Sequence, residues 1–254
     1  MNKKALITGA SSGIGKETAF VYAKNDYDLI LVARRVKNLT AIKNDIEKKY
    51  TVKVQVVPLD LAILNAAETL FDQVKDENID VLINNAGFGL FGDFLDEDLK
   101  KQEQMLLLNI ITLTKLTKLF AKKMVKNGGG NIINIASTAA YQPVPGLATY
   151  AATKAYVLSF SEAIAFELKS KNVFVTAISP GATQSEFGQV AGFPESDKFF
   201  KGIPNASDLA TFIYNAMQKK KTSTIHGIKN RLTTFSSRFA PRKMVTYIAY
   251  KTIN

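Results

Sequence analysis

A tyrosine and a lysine stand four residues apart, at Tyr150 and Lys154, where the sequence predicts the start of a helix. An apolar run with helical periodicity follows from Ala155 to Leu168. Residues four apart lie on one face of a helix, so the phenol and the ammonium would point to the same place. A free tyrosine titrates at about 10, and a nearby fixed positive charge favours the phenolate. The pair is therefore a candidate acid–base unit, although the same spacing also occurs on ordinary helix surfaces.

A glycine-rich turn follows the first predicted strand, Lys4–Thr8, and an amphipathic helix continues from it to about Lys24. In this strand–turn–helix context glycines let the main chain approach a pyrophosphate closely, and the helix N-terminus offers unpaired N–H groups. The turn therefore predicts nucleotide binding rather than an ordinary connection. The residues that we expect to contact the nucleotide here are Gly9, Ser11, Ser12, Gly13, Ile14 and Gly15.

Two arginines, Arg34 and Arg35, end the second predicted strand, Leu29–Ala33. In a dinucleotide-binding fold an acidic residue at this place binds the ribose hydroxyls, whereas an arginine suits a 2′-phosphate. The sequence therefore favours NADP(H) over NAD(H), with Arg34 as the expected phosphate ligand. NAD(H) stays possible, since both arginines could also be solvated loop residues.

Strands and helices alternate along the chain. Further strands are predicted at Lys53–Pro58, Val81–Ile83, Asn131–Ala136 and Val173–Ile178, and further helices at Lys37–Lys49, Ala62–Lys75 and Asp96–Met124. Apolar strands that alternate with helices are typical of an α/β protein with a parallel, doubly wound sheet. No composition shift marks a boundary, so we expect one domain over residues 1–254.

Composition excludes several classes of site. The chain has no cysteine and one histidine, His226, so disulfides, thiol catalysis and cysteine metal sites are excluded and no metal site is expected. No apolar run is long enough for a membrane span. We expect a cytoplasmic protein that does not bind nucleic acid.

Several short motifs occur together in one order. They are Thr8-Gly9-x-x-x-Gly13-Ile14-Gly15, Asp60, Asn84-Asn85-Ala86-Gly87, Asn109, Ser137, Tyr150-x-x-x-Lys154 and Pro180-Gly181. In this combination the chain resembles the short-chain dehydrogenase/reductase family over about residues 3–185. The resemblance implies a Rossmann fold with seven parallel strands, helices on both faces, and a bound NAD(P)(H). It also implies an oxidoreductase that interconverts a ketone or aldehyde and an alcohol by hydride transfer.

The resemblance implies four catalytic residues. Tyr150 would protonate the carbonyl oxygen during reduction, or act as the base in the reverse direction, and Ser137 would hydrogen-bond the same oxygen. Lys154 would bind the nicotinamide ribose and lower the pKa of the tyrosine. Asn109 would hold, through its backbone carbonyl, a water that feeds a proton relay through Lys154.

The resemblance also implies cofactor contacts outside the glycine turn: Asp60 at the adenine, Asn84 on the adenosine side, Thr183 at the nicotinamide carboxamide, and Ala86, Pro180 and Gly181. Family members usually assemble through the Tyr150 helix and the long helix before it, which implies a homodimer or homotetramer. The expected partners are therefore a small carbonyl or alcohol substrate and further copies of the chain.

Two other functions fit part of the sequence. Gly9-Ala10-Ser11-Ser12-Gly13 also spells the nucleophile elbow of serine hydrolases, and His226 follows in the right order. An elbow at Ser11 leaves too few preceding strands for the sheet that it should crown, and it explains neither Ser137 nor the Tyr150–Lys154 pair. A non-catalytic NADP-binding sensor or scaffold is the other alternative, and the four catalytic residues together argue against it.

The region 183–205 carries aromatic residues among glycines, namely Phe187, Phe193, Phe199 and Phe200 with Gly188, Gly192 and Gly202. It suits a substrate lid that excludes water, and it equally suits phenylalanines that complete the core. Phe88, Phe91, Tyr141 and Val144 could line the same pocket. Together these residues indicate an apolar substrate.

The C-terminal extension, residues 225–254, is basic and amphipathic. From residue 209 to the end the chain has nine Lys/Arg and no Asp/Glu. Ile225, Ile228, Leu232, Phe235 and Phe239 recur at helical spacing. We expect this stripe to pack on the body of the protein or on a partner subunit, and a peripheral contact with an anionic membrane surface is the less favoured alternative.

Overall fold

A seven-stranded parallel sheet forms the centre of the protein in a computed structural model that describes residues 2–194 and 203–253. The strands are β1 (Lys4–Thr8), β2 (Asp28–Ala33), β3 (Val54–Pro58), β4 (Val81–Asn84), β5 (Gly130–Ile135), β6 (Val173–Ser179) and β7 (Ser223–Ile225). Their order is β3-β2-β1-β4-β5-β6-β7, and every neighbouring pair is parallel. The order reverses between β1 and β4, which opens a crevice at the carboxyl ends of these strands.

Helices cover both faces of the sheet. They are α1 (Gly13–Lys24), α2 (Val36–Lys49), α3 (Ala66–Gln73), α4 (Leu99–Leu106), α5 (Leu113–Lys126), α6 (Ala148–Lys169), α7 (Phe187–Ala191), α8 (Ala206–Gln218), α9 (Ile228–Ser236) and α10 (Arg242–Ile253). Alternate strand residues enter opposite cores, as Leu29 and Leu31 do on one side and Ile30 and Val32 on the other. Burial on both faces explains the continuous apolar runs. The predicted Rossmann-like fold, with its C-terminal helices, is confirmed.

Two predicted helices have different bounds in the structure. The helical stretches expected over Asp96–Met124 begin at Leu99 and consist of α4, a π-helical stretch at Leu107–Thr112, and α5, which ends at Lys126. α3 begins at Ala66 instead of Ala62, because Asn65 before it adopts a left-handed conformation with φ of 60°. In addition, the carboxylate of Asp60 accepts the Ala62 N–H at 2.9 Å and forms a turn there.

The C-terminal extension differs from the expectation at its start and in its packing. Ile225 belongs to the edge strand β7 and not to the helical stripe. The apolar residues of α9 face solvent, with Leu232 65% and Phe235 57% exposed, while Thr234 on the opposite side is buried. The prediction that this stripe packs on the body is therefore wrong. In α10, by contrast, Val245 and Ala249 are buried.

No helix within the described part of the chain is long and apolar enough to cross a membrane. The outward face of α9 is nevertheless apolar and carries basic residues beside it, such as Lys229 and Arg238. Contact with an anionic membrane surface or with a second copy therefore stays a prediction for this face.

Liposome flotation and sedimentation velocity distinguish these two contacts. If α9 binds an anionic membrane surface, the protein floats with anionic liposomes at low salt and Leu232→Ser/Phe235→Ser abolishes flotation. If α9 contacts a second copy, the same variant lowers the sedimenting mass instead. Ile63→Ser/Leu64→Ser removes two other exposed apolar side chains and is the matched control. A variant that behaves as the wild type in both measurements contradicts both contacts.

Candidate active site

Tyr150 and Lys154 lie buried on the first turns of α6, at the carboxyl end of β5. Only 8% of Tyr150 and 6% of Lys154 is exposed. The Lys154 Nζ donates a hydrogen bond to the carbonyl oxygen of Ile135, the last residue of β5, at 2.8 Å. Ser137 stands two residues further along and caps a short 3₁₀ turn through the Ala139 N–H. The helix and the strand end thus bring three of the four expected catalytic residues together.

Burial sets the protonation of the pair. It raises the pKa of Tyr150 to about 12, and a hydrogen bond with Ser137 acts in the opposite direction. Burial also lowers the pKa of Lys154 to about 8. In the protein without cofactor burial therefore has the larger effect on the Tyr150 pKa, and the lowering of this pKa by Lys154 stays a prediction. The Lys154 Nζ lies 5.7 Å from the centre of the Tyr150 ring.

Asn109 is buried in the π-helical stretch, a feature that is frequent at functional sites. Its Nδ2 donates to the carbonyl of Phe88 at 2.9 Å and to Thr153 Oγ1 at 3.1 Å, and its Oδ1 accepts the Phe88 N–H at 3.3 Å. The side chain therefore joins the loop after β4 to α6 at Thr153, the residue before Lys154. The water-holding role of its backbone carbonyl stays a prediction.

The glycine turn is fastened to the end of β4. The Thr8 hydroxyl accepts the N–H groups of Asn85 and Ala86, both at 3.0 Å, and the Asn85 Nδ2 donates to the carbonyl of Thr8 at 2.9 Å. Gly9 has a φ of +67°, and a β-carbon on it would lie 2.8 Å from the Asn85 amide. Only glycine fits this position. Thr8 and Asn85 therefore hold the two sides of the crevice together. Both belong to the sequence motifs, but neither is one of the site residues that the sequence predicts.

Asn84 does not contribute its side chain to the crevice. It is buried, and its Nδ2 donates to Thr117 Oγ1 at 3.0 Å and to Asn134 Oδ1 at 2.9 Å. Asn134 in turn donates to Ser161 at 2.9 Å. This chain of hydrogen bonds joins two strands to the helices behind them. The Asn84 Nδ2 is therefore held in an internal network, and the expected contact of Asn84 on the adenosine side of the cofactor stays a prediction.

Arg35, and not Arg34, reaches the serines of the glycine turn. Its Nη2 lies 2.8 Å from Ser12 Oγ and 3.1 Å from Ser11 Oγ, and its Nε lies 3.2 Å from Ser11 Oγ. The Arg34 side chain is 71% exposed and lies 3.9 Å from Asp60. The sequence indicates the arginine pair but favours Arg34 as the phosphate ligand. The path of the chain after β2 instead directs Arg35 to the turn, and this path is not visible in the sequence.

A polar cavity of about 570 Å³ lies beside these groups. Its lining includes the turn residues Ser11 to Gly13, Lys16 and Asn38, with residues 184–186 across the opening. Hydroxyls, a guanidinium and the N-terminus of α1 are donors that suit a phosphate group. The residues at this end of the crevice therefore fit the phosphates of a dinucleotide.

The remaining predicted contacts lie after β6, which ends at Ser179. Thr183 is buried, and its hydroxyl donates to the carbonyl of Gly181 at 3.0 Å, which closes the turn that starts at Pro180. A β-carbon on Gly181 would lie 2.5 Å from the Asn230 amide, so α9 packs directly on this turn.

An apolar wall faces the tyrosine. The Phe187 ring lies 5.2 Å from the Tyr150 ring, and Phe91 stacks on the buried Phe193 at 4.1 Å. Val144 belongs to the same cluster, which Phe88 also contacts. Tyr141 instead packs in a different cluster with Phe160, and its hydroxyl lies 3.4 Å from Ser179 Oγ. Phe199, Phe200 and Gly202 of the expected lid lie outside the described residues.

The structure gives no support to a serine hydrolase. The Ser11 hydroxyl accepts hydrogen bonds from Arg35, whereas a hydrolytic serine is activated by a histidine. The centre of the His226 ring lies instead 5.0 Å from the centre of the Phe212 ring.

Comparison with known proteins agrees with this geometry. The chain matches the family model of the short chain dehydrogenases over residues 3–192. It is 35% identical to a 7beta-hydroxysteroid dehydrogenase of Clostridium sardiniense, over 70% of this chain and 68% of that protein. It is 31% identical to an NADP-dependent 3-hydroxy acid dehydrogenase of Schizosaccharomyces pombe, over 88% of this chain and 90% of that protein.

Solved structures give the same result. A short-chain dehydrogenase from Sphingobium yanoikuyae in complex with NADPH is 30% identical, with a TM-score of 0.85 and 93% of both chains covered. A bulky-bulky ketone specific alcohol dehydrogenase from Comamonas testosteroni is 29% identical, with a TM-score of 0.80 and coverage of 93% and 92%. The chain belongs to the short-chain dehydrogenase family, and it is an oxidoreductase that acts on CH–OH and C=O groups with a nicotinamide cofactor.

The low pKa of Lys154 predicts the pH dependence of carbonyl reduction. If a proton reaches Tyr150 through protonated Lys154, kcat/KM for reduction falls as the pH rises through about 8, by about tenfold per pH unit. The sign follows because lysine loses its proton above its pKa. Initial rates between pH 6 and 10, with circular dichroism to show that the fold persists, measure this. A rate that stays constant up to pH 10 contradicts the prediction.

Proposed function

We propose that this chain is an NADP(H)-dependent oxidoreductase that interconverts an apolar ketone or aldehyde and the corresponding alcohol, with Tyr150 as the general acid or base. The observation that carries the proposal is the buried Tyr150–Lys154 pair, which stands beside Ser137 at the carboxyl end of β5. A phenol with a raised pKa is protonated at neutral pH, so it is ready to donate a proton to a carbonyl oxygen.

Each residue then has a defined task. The nicotinamide, when bound, supplies or accepts the hydride. Tyr150 transfers its phenolic proton to the carbonyl oxygen, and the Ser137 hydroxyl donates a hydrogen bond to the same oxygen. Lys154, held by the Ile135 carbonyl, returns a proton to the phenolate. Asn109 hydrogen-bonds both the loop after β4 and α6, and this holds the loop close to the helix that carries Tyr150 and Lys154. General acid–base help of this kind contributes about 10²–10⁴-fold in rate.

The preference for NADP(H) rests on Arg35. Its guanidinium and the hydroxyls of Ser11 and Ser12 form a cluster of donors at the turn before α1. A guanidinium binds a phosphate through two parallel hydrogen bonds, and no acidic residue follows β2 to select ribose hydroxyls. The NADPH complex of the Sphingobium yanoikuyae relative and the name of the Schizosaccharomyces pombe relative support the same preference.

The substrate class rests on the apolar wall. Phe187 lies against Tyr150, and Phe91, Phe193 and Val144 extend the apolar surface. Such a wall gains free energy from apolar substrate surface, at about 25 cal/mol per Å² removed from water. A bulky ketone with a small polar content fits it best. The names of the 7beta-hydroxysteroid dehydrogenase and of the bulky-bulky ketone specific alcohol dehydrogenase indicate substrates of this kind.

We further propose a homo-oligomer that assembles through α6. Five of its exposed residues form one stripe, which consists of Ala152, Tyr156, Ser159, Ala163 and Phe166. Small residues at this spacing allow a second helix to approach closely, and Phe166 is 87% exposed. Sedimentation velocity of the wild type, as used for α9, measures the assembly, and a monomer at micromolar concentration contradicts it.

We also propose a cytoplasmic location for the protein, because the chain has no cysteine.

The non-catalytic alternative makes the opposite prediction for turnover. The function proposed above predicts NADPH-dependent reduction of at least one member of a panel of aromatic, alicyclic and steroid ketones. Tyr150→Phe should lower kcat by about 10²–10⁴-fold, because it removes the proton donor and keeps the ring on Phe187. NADPH affinity should change little. A sensor or scaffold would bind NADPH and reduce none of the panel, and Tyr150→Phe with unchanged turnover would contradict the assigned role.

The same preparations test the cofactor assignment through two adjacent variants. Arg35→Ala should weaken NADPH binding by about tenfold or more and leave NADH binding unchanged, because a charge-assisted contact to the extra phosphate is lost. Arg34→Ala removes the same charge one residue earlier and is the matched control. If Arg34→Ala has the larger effect on NADPH, the assignment to Arg35 is wrong.

A further inference from the structure

One carboxylate lies within the donor cluster that we assign to the NADP(H) phosphate. Arg35 Nη1 donates to Glu186 Oε1 at 3.1 Å, and Arg35 Nη2 lies 2.8 Å from Glu186 Oε2. The hydrogen bond from Arg35, with a second from Ser12, holds the pKa of the Glu186 carboxyl below its usual range. Glu186 is therefore ionised at neutral pH, and it occupies the same guanidinium fork and serine hydroxyl that a phosphate would need.

Glu186 also begins the segment that reaches the tyrosine. α7 starts at the next residue, Phe187, whose ring lies 5.2 Å from the Tyr150 ring. The end of α7 is held by the Phe91 N–H, which donates to the carbonyl of Ala191 at 2.8 Å. Residues 186–191 thus span the crevice, from the phosphate end to the apolar wall, with Phe187 placed over the phenol.

The start of this segment lies directly on the glycine turn. A β-carbon on Gly13 would meet the Ser185 β-carbon at 2.8 Å, and residues 184–186 border the polar cavity beside Ser12. A nucleotide that enters along the turn must therefore contact this segment. The position of Glu186 and the position of Phe187 are linked, because the two residues are adjacent in the chain.

We propose that Glu186 couples the choice of cofactor to substrate access, an inference that rests on the NADP(H)-dependent function proposed above. One guanidinium fork binds one carboxylate or one phosphate bidentately, and two anions at the same fork repel each other. The 2′-phosphate of NADP(H) displaces the Glu186 carboxylate from Arg35, which releases the start of α7 and lets Phe187 leave the Tyr150 ring. NAD(H) lacks this phosphate, so the Arg35–Glu186 pair persists and Phe187 continues to cover the phenol.

The ion pair is weak enough for this exchange. Both side chains are 45% exposed, and pairs of this kind contribute little to stability in water. A phosphate carries more charge than a carboxylate and presents three acceptor oxygens, so it competes well for the same donors. The expected effects of removing the pair are therefore moderate, and they differ between the two cofactors.

The test is Glu186→Gln, assayed with NADPH and with NADH. The variant should bind NADPH about threefold to fivefold more tightly, because the internal competitor is gone, and NADH with unchanged affinity. With NADH as cofactor the KM for a reducible ketone should fall, and with NADPH it should stay as in the wild type. A residue with a purely structural role would not separate the two cofactors in this way.

Two variants and one further measurement serve as controls. Glu17→Gln removes the same charge from the lining of the same cavity, and any effect that it has on affinity should be equal for NADPH and NADH. In an Arg35→Ala background, Glu186→Gln should have no effect on NADPH. Amide hydrogen exchange of residues 186–193, measured without nucleotide, should be faster in Glu186→Gln than in the wild type.

The outcomes separate this proposal from the function on which it rests. If the wild type binds NADPH and reduces ketones but Glu186→Gln shifts NADPH and NADH alike, or shifts them as Glu17→Gln does, the coupling is wrong and the function stands. Unchanged exchange over residues 186–193 also overturns the coupling. If the wild type binds neither nucleotide, the proposed function fails first and the coupling fails with it.

Discussion

Removal of water from Tyr150 and Lys154 is the constraint on which the rest of the site depends. Burial acts on both groups in the same sense, since it disfavours the phenolate and the ammonium alike. It leaves a phenol that keeps its proton and a lysine that can lose one near neutral pH. The Ile135 carbonyl compensates for part of the burial of Lys154, and Ser137 stabilises the phenolate when it forms. A surface Tyr–Lys pair at the same spacing would have none of these properties.

The scaffold maintains this environment at both ends of one crevice. At the inner end, Asn109 and Thr8 join the loops after β4 and β1 to their neighbours, so that the strand ends cannot separate. At the outer end, Arg35 gathers the serine hydroxyls and Glu186 around the turn before α1. Residues 186–191 run between the two ends. Glu186 beside Arg35 and Phe187 beside Tyr150 are therefore neighbouring residues at the start of one short segment.

The sequence was sufficient for the fold because each strand is an apolar run between turn residues, and their alternation with helices leaves few other topologies. It was insufficient where side-chain direction or packing decides. Which of Arg34 and Arg35 meets the serines depends on the path of the chain after β2. Asn84 ends β4, and its side chain points into the core. The strand β7 is too short to show an apolar pattern in the sequence. The exposure of the α9 stripe is likewise a property of the assembled chain.

Burial is the largest influence on the acidity of Tyr150 in the protein without nucleotide. The most direct measurement is the ultraviolet difference titration of the wild type against Tyr150→Phe, in which the signal of the single phenol is isolated. We predict that Tyr150 stays protonated beyond pH 10 and titrates near a pKa of about 12. A Tyr150 signal that titrates below pH 10 without any nucleotide would show instead that burial does not control the acidity of this phenol.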